Sequence, residues 1–509
     1  MNSKYILYYL LLCGAVLAVP VQGQVQLSAL SSVRWGNAPD QRPDGLRTIY
    51  NQLNLDYTKG GFRLGGRTQF FDASEPGRDY GEVAQRFAQY RRGRFEVTAG
   101  HFYGLVGAGL LMHAFELPGV IVEEFDRRYQ ITRDLDGVHL SYGWSKVDIA
   151  LLRGIPVDSA LPPGLEGFDR RRGRIQGGAV NIKPWRFWET GFGVVEVDDG
   201  FERQWGATLH GRLRLSRLLR HWGLEGTYAD VYGEYAQRDV EFDRWFSLDR
   251  DFPRALYGAA NIAGGNWGLS LEYKDYQDFL TADINDPPTL IREHDAFLLN
   301  RITHALLASD ETGWQGELTY AFDGGQAFTV NYTRAARRQR SRVGDDLNLW
   351  ELYVQAEAPL GTGLDAQVFV GLGKNEIFPE VEGRKTTLGT VWNWLATDTY
   401  ALSVDIQYQS VDRKGAPFKE VYANIELHQG TDWAWGVLLY RSTDELASRK
   451  EYDGPIYWWG ANINWQAGDR HNFNLFGGKR REGLACTAGT CYRVLGFEGV
   501  ELLLINQLF

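Results

Sequence analysis

The chain reads as an all-β protein, a single transmembrane antiparallel β-barrel of about 24 strands (roughly 20 to 26), with short periplasmic turns and long extracellular loops. Three observations predict this. Apolar and polar residues alternate with period two along most of the chain. Short and long connections take turns between the alternating stretches. An apolar leader is followed by no stretch near the roughly 20 consecutive apolar residues that a membrane helix requires.

The leader comes first. Lys4 precedes an apolar run from Tyr5 to Ala18, and small or turn-forming residues follow as far as Gly23. This is the layout of a secretory signal peptide over residues 1–23, with Val21 and Gly23 small enough for the two pocketed positions before the cut. Cys13 lies inside the apolar run and follows Leu12, which argues against lipoprotein cleavage. The barrel is then expected to occupy residues 24–509.

Period two is plainest in the second half. Tyr400, Leu402, Val404, Ile406 and Tyr408 stand against Ala401, Ser403, Asp405 and Gln407. Residues 349–357, 365–372 and 420–428 repeat the pattern, as half-buried strands do. Tight turns lie at Lys59-Gly60-Gly61, Arg91-Arg92-Gly93, Ala263-Gly264-Gly265, Asp323-Gly324-Gly325, Gln429-Gly430-Thr431 and similar sites. Polar stretches around 36–47, 72–81, 103–136, 155–171, 238–252, 374–384, 443–454 and 481–492 separate them. One segment breaks the count. Leu298, Leu299, Ile302, Leu306 and Leu307 suit a helical face, so residues 277–313 read as one long loop with a short helix.

The composition agrees with a wall wetted on one face only. The chain has 59 Gly, 17 Trp, 26 Tyr and 26 Phe, with a negative mean hydropathy of -0.34. A soluble propeller would carry blade repeats of roughly 40 to 50 residues, and none is visible. Aromatics gather near strand ends, at Trp392 and Trp394, Trp433 and Trp435, and Tyr457, Trp458 and Trp459, where a barrel meets the two lipid–water interfaces. The formal net charge of -10 speaks against nucleic acid as a partner. Expected partners are outer-membrane lipid, the barrel-insertion machinery and a polar small solute.

The chain closes on Val500 to Phe509, and a final aromatic resembles the signal that outer-membrane barrels present for insertion. Gln507 and Glu501 make that signal imperfect. The first strand, near Gln24 to Arg34, should pair with the last, because an open edge in lipid leaves backbone groups unpaired at several kcal/mol each.

Charged residues inside strands should face the lumen. Arg63, Arg67, Arg212, Arg214, Glu351, Asp365, Asp405 and Glu420 are the leading candidates, with Glu96, Asp148, Glu317, Glu357 and Glu426 beside them. Basic residues lean to the first half and acidic ones to the second. Facing arcs of opposite charge would set a transverse field across a pore, whereas local ion pairs would brace a wide wall. Gly104 to Asp136 is the most unusual connection. An apolar, Gly-rich run that includes Leu110 and ends at His113 leads into Glu123, Glu124, Asp126, Arg127 and Arg128. So apolar a loop suits the lumen better than external water, as a constriction or plug; the competing expectation is another pair of strands.

Cys486 and Cys491 remain after processing. Their spacing fits a disulfide clip across a loop in an exported protein, and a metal pair is the alternative, with no His or third Cys nearby. His101, His113, His139 and His210 belong to no Gly-x-Ser-x-Gly or His-Glu-x-x-His motif. No catalytic residue, metal site or cofactor is expected.

Gly100-His101-Phe102-Tyr103, Gly107-Ala108-Gly109-Leu110-Leu111, Leu135-Asp136-Gly137-Val138, and Cys486 to Cys491 with Phe497-Glu498-Gly499-Val500-Glu501 together resemble an uncharacterised family of Gram-negative outer-membrane β-barrel proteins. The resemblance implies the barrel, an outer-membrane location and the loop disulfide, and brings no activity with it. The function expected is a channel or transporter for polar solutes. The alternative is a non-conducting structural or interaction barrel in a surface or secretion complex. Energised receptors carry a long N-terminal plug domain, whereas strands here begin almost at Gln24.

Overall fold

The computed structural model describes residues 23–508 except 38–45, 74–76, 125–126, 158–172, 199, 222–225, 240–245, 247–251, 280–284, 286, 289, 291, 302–309, 338–346, 377–382, 414, 446–453 and 488–489. Residues 1–22, all but the last residue of the expected signal peptide, and Phe509 lie outside the described residues.

The first wall strands are β1 (Gln24–Gly36), β2 (Leu46–Lys59), β3 (Phe62–Ala73), β4 (Tyr80–Arg92) and β5 (Phe95–Phe102). Four short strands follow off the wall: β6 (Gly104–Val106), β7 (Met112–Ala114), β8 (Glu116–Glu124) and β9 (Arg127–Thr132). The wall resumes with β10 (Leu135–Gly143), β11 (Val147–Pro156), β12 (Arg174–Trp185), β13 (Trp188–Asp198) and β14 (Arg203–Arg214), then helix α1 (Ser216–His221), β15 (Tyr228–Arg238), β16 (Arg254–Gly264) and β17 (Trp267–Gln277). Helix α2 (Phe297–Arg301) precedes β18 (Glu311–Ala321), β19 (Ala327–Arg337), β20 (Leu347–Gly361), β21 (Leu364–Asn375), β22 (Gly383–Leu395) and β23 (Tyr400–Arg413). The wall continues through β24 (Phe418–Gln429), β25 (Trp433–Ser442), β26 (Ile456–Ala467) and β27 (His471–Arg480). After the off-wall hairpin of β28 (Gly483–Thr487) and β29 (Thr490–Val494) it finishes with β30 (Phe497–Gln507).

Every wall strand pairs antiparallel with its sequence neighbours in a 24-stranded sheet. β30 returns to β1 with Gly36 opposite Gly499 and Ser28 opposite Gln507, so the sheet closes and no edge remains. The strand number and the pairing of first with last strand agree with the sequence reading. Neither described helix is long and apolar enough to cross a membrane.

Alternation sorts the two faces. On β26 the outward residues Tyr457, Trp459, Ile463 and Trp465 are exposed, while inward Trp458 is buried against Tyr440. Trp458 is thus no interfacial residue, although Tyr457 and Trp459 are exposed. Tyr457 to Trp465 spans eight residues, which at roughly 3.3 Å rise and about 40° tilt is ~20 Å, close to the ~25 Å apolar band of a membrane barrel. On β23, Ile406 and Tyr408 face out while Gln407 and Gln409 are buried inside.

Connections follow the short–long rhythm with three departures. The links after β13 (199–202) and β23 (414–417) are short although they lie on the long-loop rim, and the link after β14 carries α1 on the short-turn rim. The reading of 277–313 as a loop with one short helix agrees with α2.

Candidate functional site

Phe102 and Leu135 are register partners on adjacent wall strands, yet 32 residues separate them. Residues 103–134 therefore leave the wall and return at one point, and both hairpins they form lie against the inner face. The run is indeed strand-like, but its strands join no wall ladder.

The β6–β7 hairpin turns at Gly107 to Leu111. Gly107 holds φ +65, a backbone state open to glycine, and an added Cβ there would strike the Glu234 carboxylate. That carboxylate accepts the Ala108 N–H and the Thr208 hydroxyl. Leu110 and Leu111 are buried, together with Val106 and Met112, in one cluster with Ile175, Val195, Ala236, Ala255 and Tyr276 of the inner wall. Burying a leucine of this kind contributes roughly 1.5–3 kcal/mol, which is why so apolar a turn docks here. His113 stacks beside Phe115.

The β8–β9 hairpin docks on β1 to β4 and β30. Arg128 is 2% exposed and donates to Ser32 of β1 and Glu501 of β30, and it also pairs with Glu123. Burial pulls its guanidinium below the usual range, opposed by the Glu501 charge. Arg34, directly opposite Glu501 in the β1–β30 register, pairs with both Glu123 and Glu501, and Arg480 joins at 2.8 Å from Glu501. Tyr80 donates to the Arg128 carbonyl, and Arg127 donates to Gly77. Glu124 stands opposite Arg127 in the hairpin register; its side chain and the whole of Asp126 lie outside the described residues.

A second segment also turns inward. Asn285 donates to the Leu110 carbonyl, joining it to the first. Arg292 pairs with Glu317, His294 bonds Glu351 at 2.7 Å, and the Leu298 N–H bonds Gln407. Phe297 stacks on Tyr422 at 4.2 Å. The β28–β29 hairpin reaches α2 and β8, with Tyr492 packed on Leu117, Val120 and Val122. Arg481 at its base pairs with Glu420 and Asp444. Among the described residues, these three segments touch one another and line the inner wall as a collar.

Each predicted lumenal charge lies on the inward face, and most are paired within their own arc. Arg63 bonds Asp56 at 2.7 Å and Arg67 bonds Glu116 at 2.8 Å. Arg212 lies 3.6 Å from Asp230, Arg214 lies 3.0 Å from Glu189, and Glu351 lies 2.9 Å from Lys385. Glu420 holds Arg481, Asp405 accepts from Gln407, and Asp365 is exposed near the short-turn rim. Most of these charges therefore stand in local ion pairs or hydrogen bonds.

Sequence reasoning missed Arg34, the role of Glu501, which shares Arg34 and Arg128 with Glu123, and the inward placement of Asn285, Arg292, His294 and Phe297 to Leu299. Apolar Phe297, Leu298 and Leu299 in a connection give the same signal that singled out Leu110. His101 sits between Asp134 and Asp136 at 3.4 and 3.5 Å, and His210 bonds Asn181. Among the described residues no group of three His, Cys, Asp or Glu could hold a metal. Cys486 and Cys491 face each other in the β28–β29 register; their side chains lie outside the described residues.

No curated protein matches the chain. Among solved structures it is similar to Pseudomonas aeruginosa OpdQ, with 11% identity, a TM-score of 0.42, and cover of 76% of this chain and 97% of that one. OccK5 (OpdH) of the same organism gives 12%, 0.41, 73% and 96%. The P. aeruginosa outer membrane protein OprD gives 12%, 0.36, 70% and 90%. A family model covers the collar's first segment and most of the wall, matching residues 6–344, and the chain belongs to that family, DUF6029, a family of unknown function.

Proposed function

We propose that this chain is an outer-membrane barrel that passes small polar solutes through a lumen narrowed by residues 103–134. The observation that carries the reading is the opposition of faces. Exposed Leu439, Tyr457, Trp459 and Ile463 form an apolar outer band, while Gln52, Gln69, Gln407 and Gln409 point inward. Apolar surface on this scale is untenable in water and stable in lipid. Lipid is then the partner of the outer band, and the insertion machinery the partner of the last strand. The second reading, a non-conducting interaction barrel, draws support from the mutual contact of the three inward segments.

Recording the purified full chain in a planar lipid bilayer separates them. Stepwise ohmic insertions are expected; a protein that inserts and stays electrically silent contradicts the channel.

The disulfide is proposed on the register. Directly opposed Cα atoms in an antiparallel pair lie roughly 4.5–5.5 Å apart, within the range a disulfide spans. The intact mass of the exported protein is expected to be two hydrogens below that of the reduced chain, with no thiol alkylated before reduction. Two alkylated thiols under non-reducing conditions would refute the bond.

A further inference from the structure

Two cavities share Ser28, Asn54 and Asp56 on the inner wall and so form one continuous trough. The deeper holds about 480 Å³ between β1–β5, β10 and the base of the collar. The other, about 490 Å³, crosses the β1–β30 seam to the short-turn rim. Each volume falls in the roughly 300–1,000 Å³ range of small-molecule sites.

The lining is unusual for its bonding state. Its strong charges in the deeper part are already compensated: Arg63 by Asp56, Arg67 by Glu116, and Glu96 by Arg91 and Gln89. A charged solute entering this deeper part would shed hydration beside charges that are already paired, which is costly; Asp469, Arg470 and His471 stand at the rim. What the trough offers instead is amides and hydroxyls. Asn54 and Gln89 line the deep part and are partly engaged by the wall: Asn54 donates to Ser28 and accepts from Gln52 and Arg67, and Gln89 donates to Glu96 and Thr98, which leaves an Asn54 N–H and the Gln89 carbonyl oxygen for a solute. Gln26, Gln466, Asn472 and Gln507 line the rim. An amide both donates and accepts, as an alcohol does, so hydroxyls can exchange water bonds for protein bonds nearly one for one. Half-buried Phe87, packed over Gly65 with the Arg63 guanidinium 5.1 Å from its ring, adds apolar surface beside these groups, and buried Phe102, stacked with His139 at 5.5 Å, backs the trough. That combination matches a pyranose, which carries hydroxyls at its edge and C–H groups on its faces.

We propose that this trough is a binding subsite for an uncharged, hydroxyl-rich solute, a short saccharide, on the inner wall below the collar. The assignment rests on the channel reading for how the solute arrives, and binding is measurable without conduction. Titration calorimetry of the purified full chain in detergent, with glucose, lactose and maltotriose against lysine hydrochloride and sodium glutamate, tests it. Saturable heat from at least one saccharide is expected, weakened about five- to tenfold by Asn54→Leu and by Gln89→Leu, each a loss of one hydrogen bond to the solute. Both variants should keep the heat-modifiable gel shift of the folded barrel; if one fails to fold, the other decides. No saccharide binding, tighter binding of either charged solute, or binding indifferent to the folded variants would overturn the assignment. A silent bilayer with intact saccharide binding would instead overturn only the channel reading.

Discussion

Replacing Glu501 by leucine is expected to cost about 3–5 kcal/mol of barrel stability, the usual penalty for removing one partner of a buried ion network. Glu501 is the shared acceptor of Arg34, Arg128 and Arg480. Without it buried Arg34 and Arg128 keep Glu123 as their carboxylate, and Arg480 loses the carboxylate it pairs with. The loss falls on the seam, because Arg34 belongs to β1 and Glu501 to β30, and the same contacts fix the β8–β9 hairpin to both. Glu501→Gln keeps acceptor capacity and loses the charge, so it should fall between wild type and leucine. Denaturant titration in detergent, read by tryptophan fluorescence and by the heat-modifiable gel shift, checks the order. A leucine variant with an unchanged midpoint would show that the network contributes no net stability.

Leu111→Asp is expected to release the tip of the first inward segment while leaving the wall folded. Leu111 is 2% exposed among apolar residues of β12 to β17. Truncation of such a leucine costs about 2–5 kcal/mol, and a buried unpaired carboxylate adds to it. The tip shares no ladder with the wall, so opening is local rather than global. Hydrogen exchange should show amides of residues 104–114, among them the Ala108 N–H held by Glu234, losing about 100-fold or more of protection, equivalent to roughly 3 kcal/mol. Wall amides on β12 to β17 should keep theirs. Uniform loss throughout would mean the tip is integral to the wall.

The fold was largely legible because a barrel wall imposes one simple rule, the alternation of faces, on every strand from Gln24 onward. Tight turns carry their own chemistry, as at Gly60, Gly265 and Gly430, all of which adopt positive φ. The site was legible where composition contradicts position. Leu110 and Leu111 suit the lumen better than an external loop, and the charged set from Glu123 to Arg128 follows them in the same connection. What stayed hidden depends on pairing across the closed sheet. Glu501 looked like a defect in an apolar terminal strand, and becomes an inward acceptor only once Arg34 is known to stand opposite. The segments that carried the family resemblance turn out to be sites of close approach. Phe497 is buried under Arg34 and Arg480, and a Cβ on Gly499 would strike the Trp35 carbonyl. Trp458 misled because an aromatic near a strand end serves an interface or a core depending on a parity that one residue reverses.

Residues 103–134 are proposed to set the width of the passage, and removal of residues 106–130 probes that width. Phe102 and Leu135 stay paired on the wall, so a short Gly–Ser turn can bridge the excision without disturbing the 24-strand closure. Single-channel recording of wild type and excised barrel in the same bilayer is predicted to show a several-fold larger conductance for the excised form, since conductance follows the narrowest cross-section. An unchanged conductance would contradict the account.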